Sequence, residues 1–114
     1  MKVSLRQVAH VRSGDKGNTA TIGVFAYSPA LYFYLKAQVT AEKVKGHFGD
    51  AITGKVTRFD LDRLGALNFT AEGALGGGVS RSLAIDNYGK ALSAALLSLE
   101  VDVPDSLANE VRLG

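Results

Sequence analysis

Cysteine and tryptophan are absent from this chain, and proline and histidine occur twice each. Without cysteine there are no disulfides, no thiolate catalysis, no cysteine-held iron–sulfur cluster and none of the common structural zinc sites. His10 and His47 are the only imidazoles, so a histidine cluster for a metal is not expected, nor is any cofactor. No apolar run approaches the roughly 20 residues that span a bilayer. Met1 to Arg6 lacks the apolar core of a signal peptide, so the expected compartment is the cytoplasm, with no membrane partner. An excess of charge is missing too. Thirteen Lys and Arg face eleven Asp and Glu, for a net charge of +2, and the basic residues are spread along the chain. Despite a pI near 9.0 there is no dense basic face, and nucleic acid is not an expected partner. What is present is 114 residues, 46% hydrophobic and 21% charged, which suits one small soluble domain of mixed α/β type.

Period-two alternation marks residues 3–12 as a half-buried strand. Val3, Leu5, Ala9 and Val11 point one way; Ser4, Arg6, His10 and Arg12 point the other, with Val8 among them. Residues 13–18 are turn formers and predict a polar loop longer than a tight turn needs. Thr19 to Tyr27 reads as a second strand, forming a hairpin with the first. Ser28-Pro29 predicts a helix start, with Leu31, Leu35 and Val39 facing the core. Tyr32, Phe33 and Tyr34 then leave more aromatic surface than one helix face buries. Thr40 caps a second short helix carrying Val44 and Phe48, with Gly49 as its stop.

A turn at Thr53-Gly54 leads into a strand over 55–61, and Asp62-Arg63-Leu64 joins it to another over 65–71. The glycine run 73–78 breaks regular structure before a short strand over 79–85. Asp86 or Asn87 caps the clearest helix: Tyr88, Ala91, Leu92, Ala95, Leu96 and Leu99 form one apolar stripe. Pro104 ends regular structure. The expected organisation is a domain over 1–100 and a polar tail over 101–114, with Leu107 and Val111 able to make one docking turn. The expected fold class is α+β, an antiparallel sheet with helices on one face.

Three places can carry chemistry. In Arg12-Ser13-Gly14-Asp15-Lys16-Gly17-Asn18 the glycines permit backbone shapes that turn N–H groups toward an anion. Arg12 and Lys16 add charge; Ser13 and Asn18 add hydrogen bonds. The competing reading is a polar hairpin loop with Asp15 bonded to its own backbone. The run Gly76-Gly77-Gly78, followed by Arg81, suits close approach of a ligand or another chain, or serves only as a flexible connection. His10, beside Arg12 on the polar strand face, is a general-base candidate if Asp15 is near, and otherwise an exposed sheet residue. Asn68, on one face with Ala66 and Thr70, can reach a ligand or make a cross-strand bond. An anion site shared by the two glycine-rich segments would take a carboxylate or a phosphate. Asp60 and Asp62 read as solvated carboxylates beside a turn, and His47 as a favourable charge at a helix C-terminus.

Several segments resemble the AtuA-like ferredoxin-fold family: Ala9-His10-Val11-Arg12-Ser13-Gly14-Asp15-Lys16-Gly17-Asn18-Thr19-Ala20-Thr21-Ile22-Gly23-Val24, Val44-Lys45-Gly46-His47-Phe48, Gly65-Ala66-Leu67-Asn68-Phe69, Gly73-Ala74-Leu75-Gly76-Gly77-Gly78 and Gly89-Lys90-Ala91-Leu92. The resemblance covers about residues 3–100 and implies a ferredoxin-like α+β fold. It implies a small stand-alone form of the C-terminal part of acyclic terpene utilisation proteins. Those larger proteins are linked to catabolism of branched acyl compounds as coenzyme A thioesters. No catalytic residue is carried over. The element order shows one strand more at the start than strand-helix-strand-strand-helix-strand, and Ser98 to Val103 supplies the closing strand if the last helix ends early. The expected function is an accessory or binding module that assembles with itself or with a larger acyl-catabolism subunit, with an acyl-CoA or carboxylate as ligand. The alternative is an enzyme subunit of hydratase or lyase type.

Overall fold

Alternating small and β-branched residues over Thr19–Ala26 build the central strand, β3, whose even-numbered residues Ala20, Ile22 and Val24 are buried. The structure is a computed structural model and describes residues 1–16, 19–49, 52, 54–72 and 92–112, with the backbone alone at Asp15 and Lys16. Around β3 lie β1 (Lys2–Ser4), β2 (Ala9–Lys16), α1 (Pro29–Gln38), α2 (Ala41–Phe48), β4 (Val56–Leu61) and β5 (Ala66–Glu72). A helical segment over residues 92–96, α3, and β6 (Glu100–Asp102) complete the described elements. β2, β3, β5 and β4 form, in that order, a four-stranded antiparallel sheet; β1 and β6 pair antiparallel as a second, smaller sheet.

The helices begin where their caps put them. Ser28 Oγ accepts from the Leu31 amide at 3.2 Å with Pro29 in the first turn, and Thr40 Oγ1 accepts from Lys43 at 3.1 Å. Such side-chain oxygens satisfy amides that lack an intrahelical partner. Gly49, at φ +58, ends α2. Leu31, Leu35 and Val39, then Val44, then Leu92, Leu96 and Leu99, pack with Ile22, Val24, Leu67 and Phe69 in one cluster. All described helices therefore share one side of the large sheet. No helix among the described residues is long and apolar enough to cross a membrane.

Four expectations change. The strand predicted over 3–12 is interrupted at Leu5–Gln7 by a 3-10 turn. Leu5 and Val8 are both fully buried, and residues three apart lie on one side of a 3-10 turn; this explains why Val8 falls out of the alternation. The turn lets β1 leave the large sheet and pair with β6. The loop predicted over 13–18 is strand as far as Lys16, which pairs with Thr19, so only residues 17 and 18 lie between the paired ends. Third, the polar tail begins inside the fold. β6 pairs residue for residue with β1, Val101 and Val103 are buried, and a 3-10 helix follows over Asp105–Glu110. Gln38 seals the free edge of β6: its amide nitrogen donates to the Asp102 carbonyl at 2.5 Å and its oxygen accepts from the Asp102 amide at 2.7 Å. Leu107 and Val111 pack against the core as the docking turn predicts.

The fourth change is in the last helix, where Leu92, Leu96 and Leu99 are buried but Ala95 is exposed. Helix geometry ends near residue 97, which frees β6 to form as the closing strand. Thr53, the strand over 79–85, the cap at Asp86 or Asn87, and Tyr88 and Ala91 of the stripe lie outside the described residues.

Candidate functional site

Successive side chains of a strand point to opposite faces, and the described helices lie on one face of the large sheet. The other face presents three rows of paired residues. His10, Phe25, Ala66 and Leu61 make the first; Arg12, Gly23, Asn68 and Phe59 the second; Gly14, Thr21, Thr70 and Thr57 the third. The rows are mostly open. His10 and Arg12 are exposed, Phe25 and Asn68 are half-buried, and Phe59 and Leu61 keep 49% and 39% of their surface in solvent. Ala66 is buried yet lies outside the core cluster.

Phe25 organises the β2 side of this face. Its ring leans over Gly23, where an added Cβ would sit 2.8 Å from Phe25 Cε1; an aromatic ring covering a strand glycine replaces the side chain that is missing there. The His10 ring stacks on Phe25 at 4.9 Å with 6° between planes, and Tyr27 lies 6.1 Å beyond His10. Arg12 stands 5.7 Å from the Phe25 centroid and Arg112 3.7 Å from that of Tyr27. A run of planar rings thus carries a guanidinium at each end, a cation–π arrangement. Among the described residues no carboxylate pairs with Arg12 or Arg112.

A second cluster joins α1 to the turn between β4 and β5. The Tyr32 hydroxyl donates to Asp62 Oδ1 at 2.6 Å, and Lys36 Nζ bridges both Asp62 oxygens at 3.0 and 3.1 Å. Burial, reinforced by Asp62, pushes the Tyr32 phenol up to about 12. Hydrogen bonds from Tyr32 and Lys36 hold the Asp62 carboxyl below its ordinary value. Arg58 Nε meets Asp60 Oδ1 at 2.8 Å, while its Nη1 donates to the carbonyls of Lys36 and Val39 at 2.7 and 3.1 Å. Those carbonyls end α1, so the guanidinium is its C-terminal cap. Asp60 and Asp62 are exposed to solvent, as expected, and each also has a partner. Beside Tyr32 a shallow cleft of about 220 Å³ runs between Tyr27, Pro29, Asp62 and Leu64.

The sequence-predicted site residues divide by the pleat. Arg12, Gly14 and Asn68 share the open face, and Asn68 shares it with Ala66 and Thr70 as expected. Ser13 points to the helix side, where its hydroxyl accepts from Ser93 at 3.2 Å. Asp15 and Lys16 are strand residues rather than loop. Gly17, Asn18, Gly76, Gly77, Gly78 and Arg81 lie outside the described residues. The reading of His10 as a base beside Asp15 is not supported. The two positions are five residues apart on one extended strand, about 17 Å along it. Tyr32, one of the three surplus aromatics, is buried; Phe33 remains 68% exposed and Tyr34 packs partly against the core.

His47 reaches across from α2. Its Nε2 lies 2.8 Å from the Ala95 carbonyl and 3.3 Å from Ser98 Oγ. A carbonyl only accepts, so Nε2 carries the proton, and the pair is not a serine nucleophile with its base. Ser98 Oγ itself donates to the Ala95 carbonyl at 2.7 Å.

The aromatic and apolar part of the open face went unread in the sequence. Its signal is the alternation itself, with Thr21, Gly23 and Phe25 out of phase with buried Ile22 and Val24.

The fold defines a small α+β domain of ferredoxin-like class. The chain belongs to the AtuA ferredoxin-like domain family, whose model matches residues 3–102. No curated protein and no solved structure matches the chain.

Proposed function

We propose that this chain is a small accessory or binding module for the catabolism of branched or terpenoid acyl compounds, and that it works by assembling with itself or with a larger subunit. The family suggests the association with acyclic terpene utilisation. The observation that supports the assembly is the face of the large sheet opposite the described helices, where Phe59 and Leu61 are exposed together on β4 beside Asn68, with Arg12 exposed on the far edge strand β2. Exposed apolar groups gathered on one face mark contact surfaces. Exposed aromatics and arginines suit such surfaces too. The surplus aromatic of α1 that supports this reading is Phe33.

Light scattering on the protein alone, and on a mixture with the large subunit of an acyclic terpene utilisation system, tests the proposal. Assembly in either sample is the expected result; a monomer in both overturns it. For the ligand, an acyl-CoA or carboxylate, calorimetry with a coenzyme A thioester and a simple carboxylate is the measurement. Arg12→Ala weakens binding, and added salt weakens the wild type in parallel, if the Arg12 charge holds the anion.

A further inference from the structure

We infer that the free edge of β4 is a two-fold interface with a second copy of this chain, in which the two β4 strands pair antiparallel about Phe59 and join two four-stranded sheets into one. This rests on the reading of the chain as an assembling module and names the edge, the register and the occupant.

The edge is unpaired along its length. β4 stands last in the strand order of the large sheet. The Glu72 amide donates to the Lys55 carbonyl at 2.9 Å. In an antiparallel ladder the bonding residues alternate, so Lys55, Thr57, Phe59 and Leu61 turn their backbone groups toward β5, and Val56, Arg58 and Asp60 turn theirs outward. Among the described residues nothing bonds to those outward amides and carbonyls. An edge strand with an unpaired backbone is a template for another strand. Phe59 and Leu61, both exposed, stand on the same strand.

Charge fixes the register. A two-fold axis perpendicular to the sheet sets outward residues opposite outward residues, so the pairing centres on Arg58, Phe59 or Asp60; longer shifts leave at most three residues of the strand in contact. Centring on Arg58 lays two guanidiniums directly opposite, and centring on Asp60 lays two carboxylates opposite. Like charges so placed destabilise a strand pair. Centring on Phe59 sets Arg58 of each copy opposite Asp60 of the other. Both of these pairs are of the hydrogen-bonded type, which exchanges two bonds, about four new backbone bonds in all. Arg58 and Asp60 already meet within one copy at 2.8 Å, so two guanidiniums and two carboxylates alternate around the axis.

The same register gathers the exposed apolar groups. Phe59 meets Phe59 of the second copy in a non-hydrogen-bonded pair, where side chains approach most closely, and each Leu61 meets Thr57 of the other. One short strand is thus complementary to itself in charge, backbone bonds and apolar contact, as an isologous contact requires. That self-complementarity names a second copy rather than a foreign strand. A contact about five residues long lies at or below the low end of specific interfaces, about 1,200 Å². A reversible dimer with a dissociation constant of about 10–100 µM is therefore expected.

Sedimentation velocity from about 5 to 500 µM is to show that dimer. Phe59→Lys brings two cations together at the axis, and Asp60→Lys sets a cation against Arg58 of the other copy; each raises the dissociation constant at least tenfold. Arg6→Glu, an exposed change in the turn before β2, leaves it unchanged. Circular dichroism checks that each variant is folded. Because the chain has no cysteine, introduced thiols read the register. The two copies of F59C lie about 4.5 Å apart at Cα, within the span of a disulfide, and join under mild oxidation. T57C or L61C alone, about 14 Å from its own copy, does not join, whereas the two mixed together do.

A wild-type monomer at 500 µM overturns the inference, while assembly with the larger subunit keeps the reading of an assembling module. A dimer indifferent to folded Phe59→Lys and Asp60→Lys, or one in which L61C joins to itself as readily as F59C, overturns this edge and register while self-assembly stands.

Discussion

The Tyr32 hydroxyl donates to Asp62 Oδ1 at 2.6 Å, tying the buried side of α1 to the turn between β4 and β5. The phenol makes this bond only while protonated, and its pKa stands near 12 in the folded chain against 10 in the unfolded one. A group whose folded value is raised contributes stability below the unfolded value and loses it as pH climbs through the folded one. Stability is therefore expected to fall between about pH 10 and 12. Urea midpoints across that range are to show Tyr32→Phe with a flatter alkaline limb than the wild type. Equal slopes would mean the phenol does not titrate late.

On the acid side the sign reverses. Asp62 has its value lowered, first by Tyr32 and then by Lys36, so its contribution is present above the ordinary carboxylate value and is lost as pH falls through the folded one. Tyr32→Phe raises the Asp62 value toward normal. Carbon NMR titration of the Asp62 carboxyl reads this directly, and an unchanged midpoint would contradict the hydrogen bond.

Arg58 holds the last carbonyls of α1 and the Asp60 carboxylate with one fork of donors. Arg58→Ala leaves these acceptors to water and is expected to cost about 1–2 kcal/mol in urea denaturation. Arg58→Lys recovers part of that, since a single ammonium cannot span both carbonyls and the carboxylate. Full recovery by lysine would show that charge alone matters.

Gly23→Ala pushes a methyl group into the Phe25 ring. The ring is the far end of a side chain and can swing away, so the stability change stays below about 1 kcal/mol. Its stack on His10 is lost. The ring-current shift of the His10 protons in NMR spectra is the readout, and an unmoved signal would refute the stacking.

Gly54→Ala differs because its obstacle is backbone. A Cβ there collides with the Glu72 carbonyl, which also accepts the Gly54 amide at 2.9 Å. The β4–β5 pairing must open, at an expected cost of about 2 kcal/mol or more. Thermal unfolding checks it, and a melting point within a degree of wild type would count against the close approach.

The helices α1 and α2 were readable because their determinants are local. Ser28-Pro29, Thr40 and Gly49 act on amides and carbonyls within one turn of themselves, and Leu31, Leu35 and Val39 keep helical spacing without help from distant chain. The placement of Asn68 with Thr70, and of His10 with Arg12, was readable for the same reason, since the pleat is a property of a single strand.

What lay beyond reach depends on partners far away in sequence. Residues 3–12 alternate well enough for one strand; the break at Leu5–Gln7 exists because β6, some ninety residues later, offers β1 a different sheet. Residues 13–16 are turn formers by composition, yet they extend β2 because Thr19 to Ile22 supply a full set of ladder bonds. Tyr32 looked surplus on its own helix and is buried because Asp62 arrives to accept its hydroxyl.

The open face shows the same division. Local sequence determined which side chains stand on each side of each strand. Only the tertiary structure decided that the described helices cover one side and that Arg12, Gly23, Asn68 and Phe59 form a single row on the other. Strand order and register are settled by burial of the shared core, a sum over the whole chain that no local window contains.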